Sequence, residues 1–169
     1  MSTTTMAQPG DKSATPVAVI DALSSLLEAE LNSIFRFMGE GSPYLSRATV
    51  EVRRPLQDMV IAEKRRAGEL ADLMDSLGSV PTPTVGIRRD EQYLAFLSLK
   101  FLLPKLVGEK RLHIERYENA IKGIKGLSSA NSSAQIVPLL ESHLAELRGE
   151  LSALESAAAH VGSATPHKS

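Results

Sequence analysis

Apolar positions recur along this chain with the step of a helix. From residue 17 onward, Ile20, Leu23, Leu27, Glu30, Ile34 and Phe37 follow alternate steps of three and four, which line up on one face of an α-helix. The same steps pick out Leu56, Met59, Glu63, Arg66, Leu70, Leu73 and Leu77 in a second segment, and Ile136, Leu140, His143, Leu147 and Leu154 in a fourth. The third segment is less regular. Leu102, Leu106, Glu109 and His113 make one possible face, and Ile114, Tyr117, Ile121 and Ile124 make another. The pattern predicts an all-α chain with four helices of about 20–23 residues each.

Prolines and glycines place the boundaries. Pro16, Pro55, Pro104 and Pro138 each stand near the start of one segment, where a missing N–H is tolerated. Only Thr15, before Pro16, is a good N-cap. The other three prolines therefore either open their helices or kink helices that begin earlier, for example at Ser46 or Ser132. Gly39-Glu40-Gly41-Ser42-Pro43 closes the first helix, Gly78 with Pro81 and Pro83 the second, and residues 126–133 the third. Two links are short, which makes their helices antiparallel neighbours. The thirteen residues 78–90 reach about 43 Å when extended, against about 33 Å for a 22-residue helix, so this link can run the length of a bundle. Two antiparallel hairpins joined by one long crossover between helices 2 and 3 satisfy these lengths. A three-helix bundle with an irregular arm satisfies them almost as well. The apolar residues of 93–103 form either a short crossover helix or an extension of the third helix around Pro104.

Composition narrows the function classes. A chain of 169 residues is one domain's worth. Its ends, residues 1–15 and 159–169, are too rich in small and polar residues to order themselves, which leaves residues 16–158 as the bundle. Apolar residues at 43%, charged residues at 23% and a net charge of −1 give no large basic surface for nucleic acid or anionic membrane. The Arg53-Arg54, Arg65-Arg66 and Arg88-Arg89 pairs lie among acids without interleaved aromatics. The longest apolar stretch, residues 93–107, is broken by Lys100 and Pro104 and is too short to span a bilayer, and no secretory signal opens the chain. A cytoplasmic protein with neither a nucleic-acid nor a membrane partner is expected. There is no phosphate loop, no nucleophile elbow and no His-Glu-x-x-His pair. With no cysteine, any metal would need Glu, Asp and His.

The candidate chemistry lies where the stripes are interrupted. Glu30, Glu63, Arg66 and His143 occupy positions at which leucine is expected, and ionisable groups in a core are costly unless paired or bound to a cation. Arg66 reads as an ion-pair partner, because its guanidinium keeps its proton and forks onto carboxylates such as Glu30 or Glu63. Taken singly, His113 and His143 read as satisfied core or rim histidines, and Tyr117 as core.

Four stretches carry a family resemblance: LLEAELNSIFRFM in the first helix, AEKRRAGELADLMDSLG in the second, GEKRLHIERYENAI in the third and ESHLAEL in the fourth. Over roughly residues 17–158 the chain resembles the ferritin-like superfamily, which includes bacterioferritins and rubrerythrins. The resemblance implies a ferritin-like up-and-down four-helix bundle. It also implies a carboxylate-bridged di-iron centre, built from one Glu on each of two helices and a Glu-x-x-His pair on each of the others. Glu30 matches the first-helix ligand, Glu63 the second-helix Glu, and Glu109 is the best match in the third helix. Arg66 stands at the second-helix histidine position. Leu140 stands three residues before His143, where the fourth-helix acid belongs, and Glu141 faces about 100° away.

The implied metal ligands are thus Glu30, Glu63, Glu109 and His143, with Arg66 beside them, in a degenerate centre that holds iron weakly or as a single ion. If active, such a protein is a di-iron-type oxidoreductase or ferroxidase-like enzyme. The alternative is a non-catalytic bundle whose centre is held by Arg-Glu ion pairs and which acts through self-association or a protein partner. Three carboxylates against Arg66 leave two negative charges, which one divalent cation cancels and a protonated His143 only halves. The apolar Phe96-Leu97 and Phe101-Leu102-Leu103 run exceeds what one crossover must bury, so a homo-oligomer is expected.

Overall fold

Helices take up most of the residues that the computed structural model describes, 15–39, 50–86, 98–127 and 130–163, with side chains at 15–36, 51–86, 98–127 and 133–163. In chain order they are α1 (Val17–Leu31), α2 (Ile34–Gly39), α3 (Val50–Ser76), α4 (Leu99–Leu127) and α5 (Ala130–Ser163), and no strand occurs among the described residues. The helices from α3 onward are longer than the apolar stripes alone predict, at 27, 29 and 34 residues. Each begins ahead of its proline, so Pro55, Pro104 and Pro138 lie inside helices. The third helix absorbs the apolar residues from Leu99 onward, while Ser46 and residues 93–97 lie outside the described residues. The N-cap of α1 is Pro16, not Thr15, because the Pro16 carbonyl accepts from the Val19 and Ile20 amides. The expected N-terminal tail is described only at Thr15, and the C-terminal one only through Ser163, which is still helical.

The first predicted helix is broken into α1 and α2 at Asn32-Ser33. The Asn32 amide and side chain both donate to the Glu28 carbonyl at 2.9 Å, which ends α1. The Ser33 hydroxyl then accepts from the Phe35 amide at 3.1 Å and caps α2. These are the local bonds by which Asn and Ser compete with a continuing helix. At the end of α3, Gly78 takes the left-handed conformation (φ 79°), and the Ser79 amide donates to the Met74 carbonyl at 3.0 Å, a Schellman ending that needs glycine.

Two apolar clusters divide the core. One contains Leu23 and Leu27 of α1, Leu70 and Met74 of α3, Ile121 and Ile124 of α4, and Ile136 and Leu140 of α5. The other contains Ile34 of α2, Leu56 and Met59 of α3, Leu103 and Leu106 of α4, and Leu154 of α5. The order in which each helix visits the clusters fixes its direction. From α1 into α2 the chain runs from the first cluster to the second, α3 and α4 both run from the second to the first, and α5 runs back. The parallel pair α3 and α4 requires the link between them to traverse the bundle, which is the long crossover predicted from loop length. The structure is therefore an up-and-down four-helix bundle, with α1 and α2 together forming its first member. Asn32 pins the crossover in passing: its side chain donates to the Thr84 carbonyl and accepts from the Gly86 amide, each at 2.8 Å. No helix among the described residues is long and apolar enough to cross a membrane.

Candidate metal centre

Between the two apolar clusters lies a polar layer. Glu30 of α1, Glu63 and Arg66 of α3, and Lys110 and His113 of α4 are all buried, and His143 of α5 is buried beside them. Glu150 of α5 closes the layer with its side chain 12% exposed. Each sits on the inward stripe of its helix, so the packing that buries leucine above and below also removes these groups from water.

The first oxygen of each deep carboxylate is committed to neighbours. Glu30 Oε1 accepts from Arg66 Nε at 2.9 Å and from the Tyr117 hydroxyl at 2.8 Å. Glu63 Oε1 accepts from Ser33 Oγ at 2.9 Å and from Lys110 Nζ at 3.4 Å. The break in the first helix thus presents Ser33 to the site. Glu150 receives Arg66 Nη1 on one oxygen and Lys110 Nζ on the other, both at 2.7 Å. Lys110 also lies over the Phe35 ring, 4.1 Å from its centroid, a cation–π contact that helps hold a buried ammonium.

His113 Nε2 stands 3.4 Å from Glu30 Oε1. Glu30 Oε2, Glu63 Oε2 and His113 Nε2 are buried without a hydrogen-bond partner. Orphaned buried polar atoms are rare, because each carries the full cost of its lost hydration. All three belong to residues of one group: Glu30, Glu63 and His113 each offer a ligand atom, a carboxylate oxygen or a ring nitrogen, within 4.8 Å of the other two.

The electrostatics follow from burial and charge. Burial alone would raise the Glu30 carboxyl, yet His113 and Arg66 beside it bring it down from 4.5 to about 2. Glu63 moves the other way: burial, helped by the charge of Glu30, raises it against the pull of Lys110. Burial works against the Arg66 charge, but Glu30 and Glu150 more than offset it and raise its pKa. Tyr117 is pushed well above the ordinary phenol range by burial and by Glu30, so it remains a hydrogen-bond donor.

Of the four ligands expected from the sequence, Glu30 and Glu63 come together, and Glu109 and His143 fall outside the converging group. Glu109 is half-buried; the positions of α4 that enter the layer are Lys110, one residue on, and His113. Both ring nitrogens of His143 are engaged elsewhere. Nδ1 lies 3.2 Å from the Tyr117 hydroxyl and Nε2 lies 2.7 Å from Glu69 Oε2. Lys110, Glu150 and Ser33 were not anticipated, and His113 was not anticipated as a ligand. Two of them carry a signal in the stripes. Leu103, Leu106, Lys110, His113, Tyr117, Ile121 and Ile124 form one continuous buried face of α4, and Glu150 fills the gap of seven between Leu147 and Leu154. A charged residue on a stripe belongs to it when the steps on both sides demand one.

No family model and no curated protein matches this chain. Among solved structures, a bacterioferritin from Desulfovibrio desulfuricans, described for its diiron site in different catalytic states, matches with a TM-score of 0.68. The match covers 88% of this chain and 82% of that one, at 19% sequence identity. The fold is ferritin-like. At this identity the likeness speaks for the architecture of the ferritin-like bundle, and the chemistry must be argued from the residues in its polar layer.

Proposed function

We propose that this ferritin-like bundle holds a single metal ion, iron first, between Glu30, Glu63 and His113. The observation that carries the reading is the convergence of Glu30, Glu63 and His113, which each offer a ligand atom within 4.8 Å of the others and each hold one buried side-chain atom without a hydrogen-bond partner. Two carboxylate oxygens and one imidazole nitrogen suit Fe(II), Mn(II) or Zn(II). The donor set fits one ion and not the pair that the resemblance implies, because Arg66 and Lys110 bring fixed positive charge into the layer. Glu30, Glu63 and Glu150 against Arg66 and Lys110 leave one negative charge, so one divalent ion is the most that the layer accepts, at a net charge of +1. Iron bound there would supply redox chemistry toward dioxygen or peroxide. The protein supplies Tyr117 and Arg66 to orient Glu30, Ser33 and Lys110 to orient Glu63, and a layer closed above and below by leucine.

A second reading is favoured by a different observation, that Arg66 and Lys110 already bridge the carboxylates in pairs. On that reading the centre is an ion-pair network completed by one proton, and the bundle acts through self-association or a partner. Part of the expected association surface is core: Leu102 and Leu103 are buried, Phe101 remains 66% exposed, and Phe96 and Leu97 lie outside the described residues.

Anaerobic titration with ferrous iron, followed by desalting and elemental analysis, separates the readings. Wild type should retain about one iron per chain, and His113→Ala or Glu63→Gln should weaken binding at least about tenfold. Glu109→Gln should leave binding unchanged. A wild-type protein that retains no iron would favour the ion-pair network.

A further inference from the structure

Arg66 and Lys110 are bridges. Arg66 spans Glu30 and Glu150 at 2.9 and 2.7 Å, and Lys110 spans Glu150 and Glu63 at 2.7 and 3.4 Å. Glu150 is the head of both bridges: Oε1 accepts from Arg66 Nη1, and Oε2 accepts from Lys110 Nζ and, at 3.4 Å, from Arg66 Nη2. Three carboxylates from three different helices are thus gathered around two nitrogen cations, both fully buried. Carboxylates meet in this way around a metal, because only a positive charge at their centre repays the loss of water and the mutual repulsion. A guanidinium or ammonium meets the same electrostatic need, but it is covalently fixed and cannot be chelated away.

We propose that Arg66 and Lys110 hold the place of a second metal ion and that Glu150 is a latent carboxylate ligand, so that the chain's own side chains limit the centre to one metal. The inference rests on the single-metal reading of Glu30, Glu63 and His113, and it adds Glu150, which that reading does not use. With both cations removed, three carboxylates stand uncompensated and the layer gains a vacancy for a divalent ion. With Lys110 alone removed, the first site loses a repelling neighbour.

The test uses Mn(II) as the probe, with equilibrium dialysis for stoichiometry and electron paramagnetic resonance for free ion. Four proteins are compared: wild type, Lys110→Gln, the double variant Arg66→Gln/Lys110→Gln, and that double variant carrying Glu150→Gln as well. Wild type should bind about one ion, and Lys110→Gln about one with affinity raised at least tenfold, as loss of a nearby unit charge requires. The double variant should bind about two ions, and addition of Glu150→Gln should return it to about one. A double variant that is helical by circular dichroism yet binds no more Mn(II) than wild type overturns the proposal. So does a triple variant that still binds two. If the double variant does not fold, the affinity of Lys110→Gln decides, and a value within twofold of wild type is the overturning result. Should wild type bind no ion while the double variant binds one or more, the single-metal reading fails and the place-holding role of Arg66 and Lys110 stands.

Discussion

Replacing Arg66 with methionine removes one buried charge while keeping an unbranched side chain in its space. Arg66 is fully buried and donates to Glu30 and to Glu150. Glu150 is partly exposed and keeps Lys110, so water and the ammonium cover most of its loss. Glu30 has no such recourse, and the penalty concentrates there. Breaking a buried pair by removing one partner costs about 3–5 kcal/mol. The fall of the Glu30 carboxyl from 4.5 to about 2 corresponds to about 3 kcal/mol of stabilisation of its ionised form, shared between His113 and Arg66. Since Tyr117 and His113 remain, the loss should lie near the lower end, at about 3 kcal/mol, or roughly 6–12 °C in Tm for a chain of this length. The pH dependence has a definite sign. A folded-state pKa below the unfolded one contributes stability that is complete above about 4.5 and fades as pH falls toward about 2. The gap between wild type and Arg66→Met should therefore be full at pH 7 and narrow as pH falls toward about 2, by at most about 1.4 kcal/mol for each pH unit. Urea unfolding of the metal-free proteins, followed by circular dichroism at pH 7 and pH 3.5, measures both. A gap below about 1 kcal/mol at pH 7, or one that stays constant on acidification, would refute the pairing of Arg66 with an ionised Glu30.

Glu63→Gln should show the opposite trend: the wild-type carboxyl is raised by burial, so wild type loses stability as pH climbs above 4.5 and the glutamine protein does not, a difference visible in Tm between pH 4.5 and 7 without metal. Tyr117→Phe strips a donor from Glu30 Oε1 and uncouples it from His143; a loss of about 1–3 kcal/mol in urea unfolding is expected, and a neutral result would mean that the hydroxyl is not buried against Glu30. Asn32→Ala releases the crossover from the break in the first helix, so amide exchange at Gly86 should accelerate, with a stability cost of about 1 kcal/mol. Unchanged exchange would show that the two side-chain bonds do not hold the crossover.

The stripes in the amino-acid sequence were enough to determine the helical class and the long crossover, because burial of one face at alternate steps of three and four is a local property of each segment. They also marked Glu30, Glu63 and Arg66, since an ionisable residue between leucines on a regular stripe has nowhere to go but the core. The helix break at Asn32-Ser33 leaves the apolar stripe unbroken from Glu30 to Ile34, although its cause is local, a side-chain amide and a hydroxyl competing for backbone groups. The partners were a different matter. Which face of α4 turns inward depends on the neighbours against which it packs, and that rotation of one position brings Lys110 to the layer with His113 and leaves Glu109 at its edge. The surroundings of His143 are set by Tyr117 and Glu69, residues 26 and 74 positions away, which lie within hydrogen-bond distance of its two nitrogens. Helix periodicity specifies an angle about one axis, whereas a site is a convergence of several axes. Only the tertiary structure sets their relative rotation and depth, and with them the choice between a carboxylate that meets a metal and one that meets an arginine.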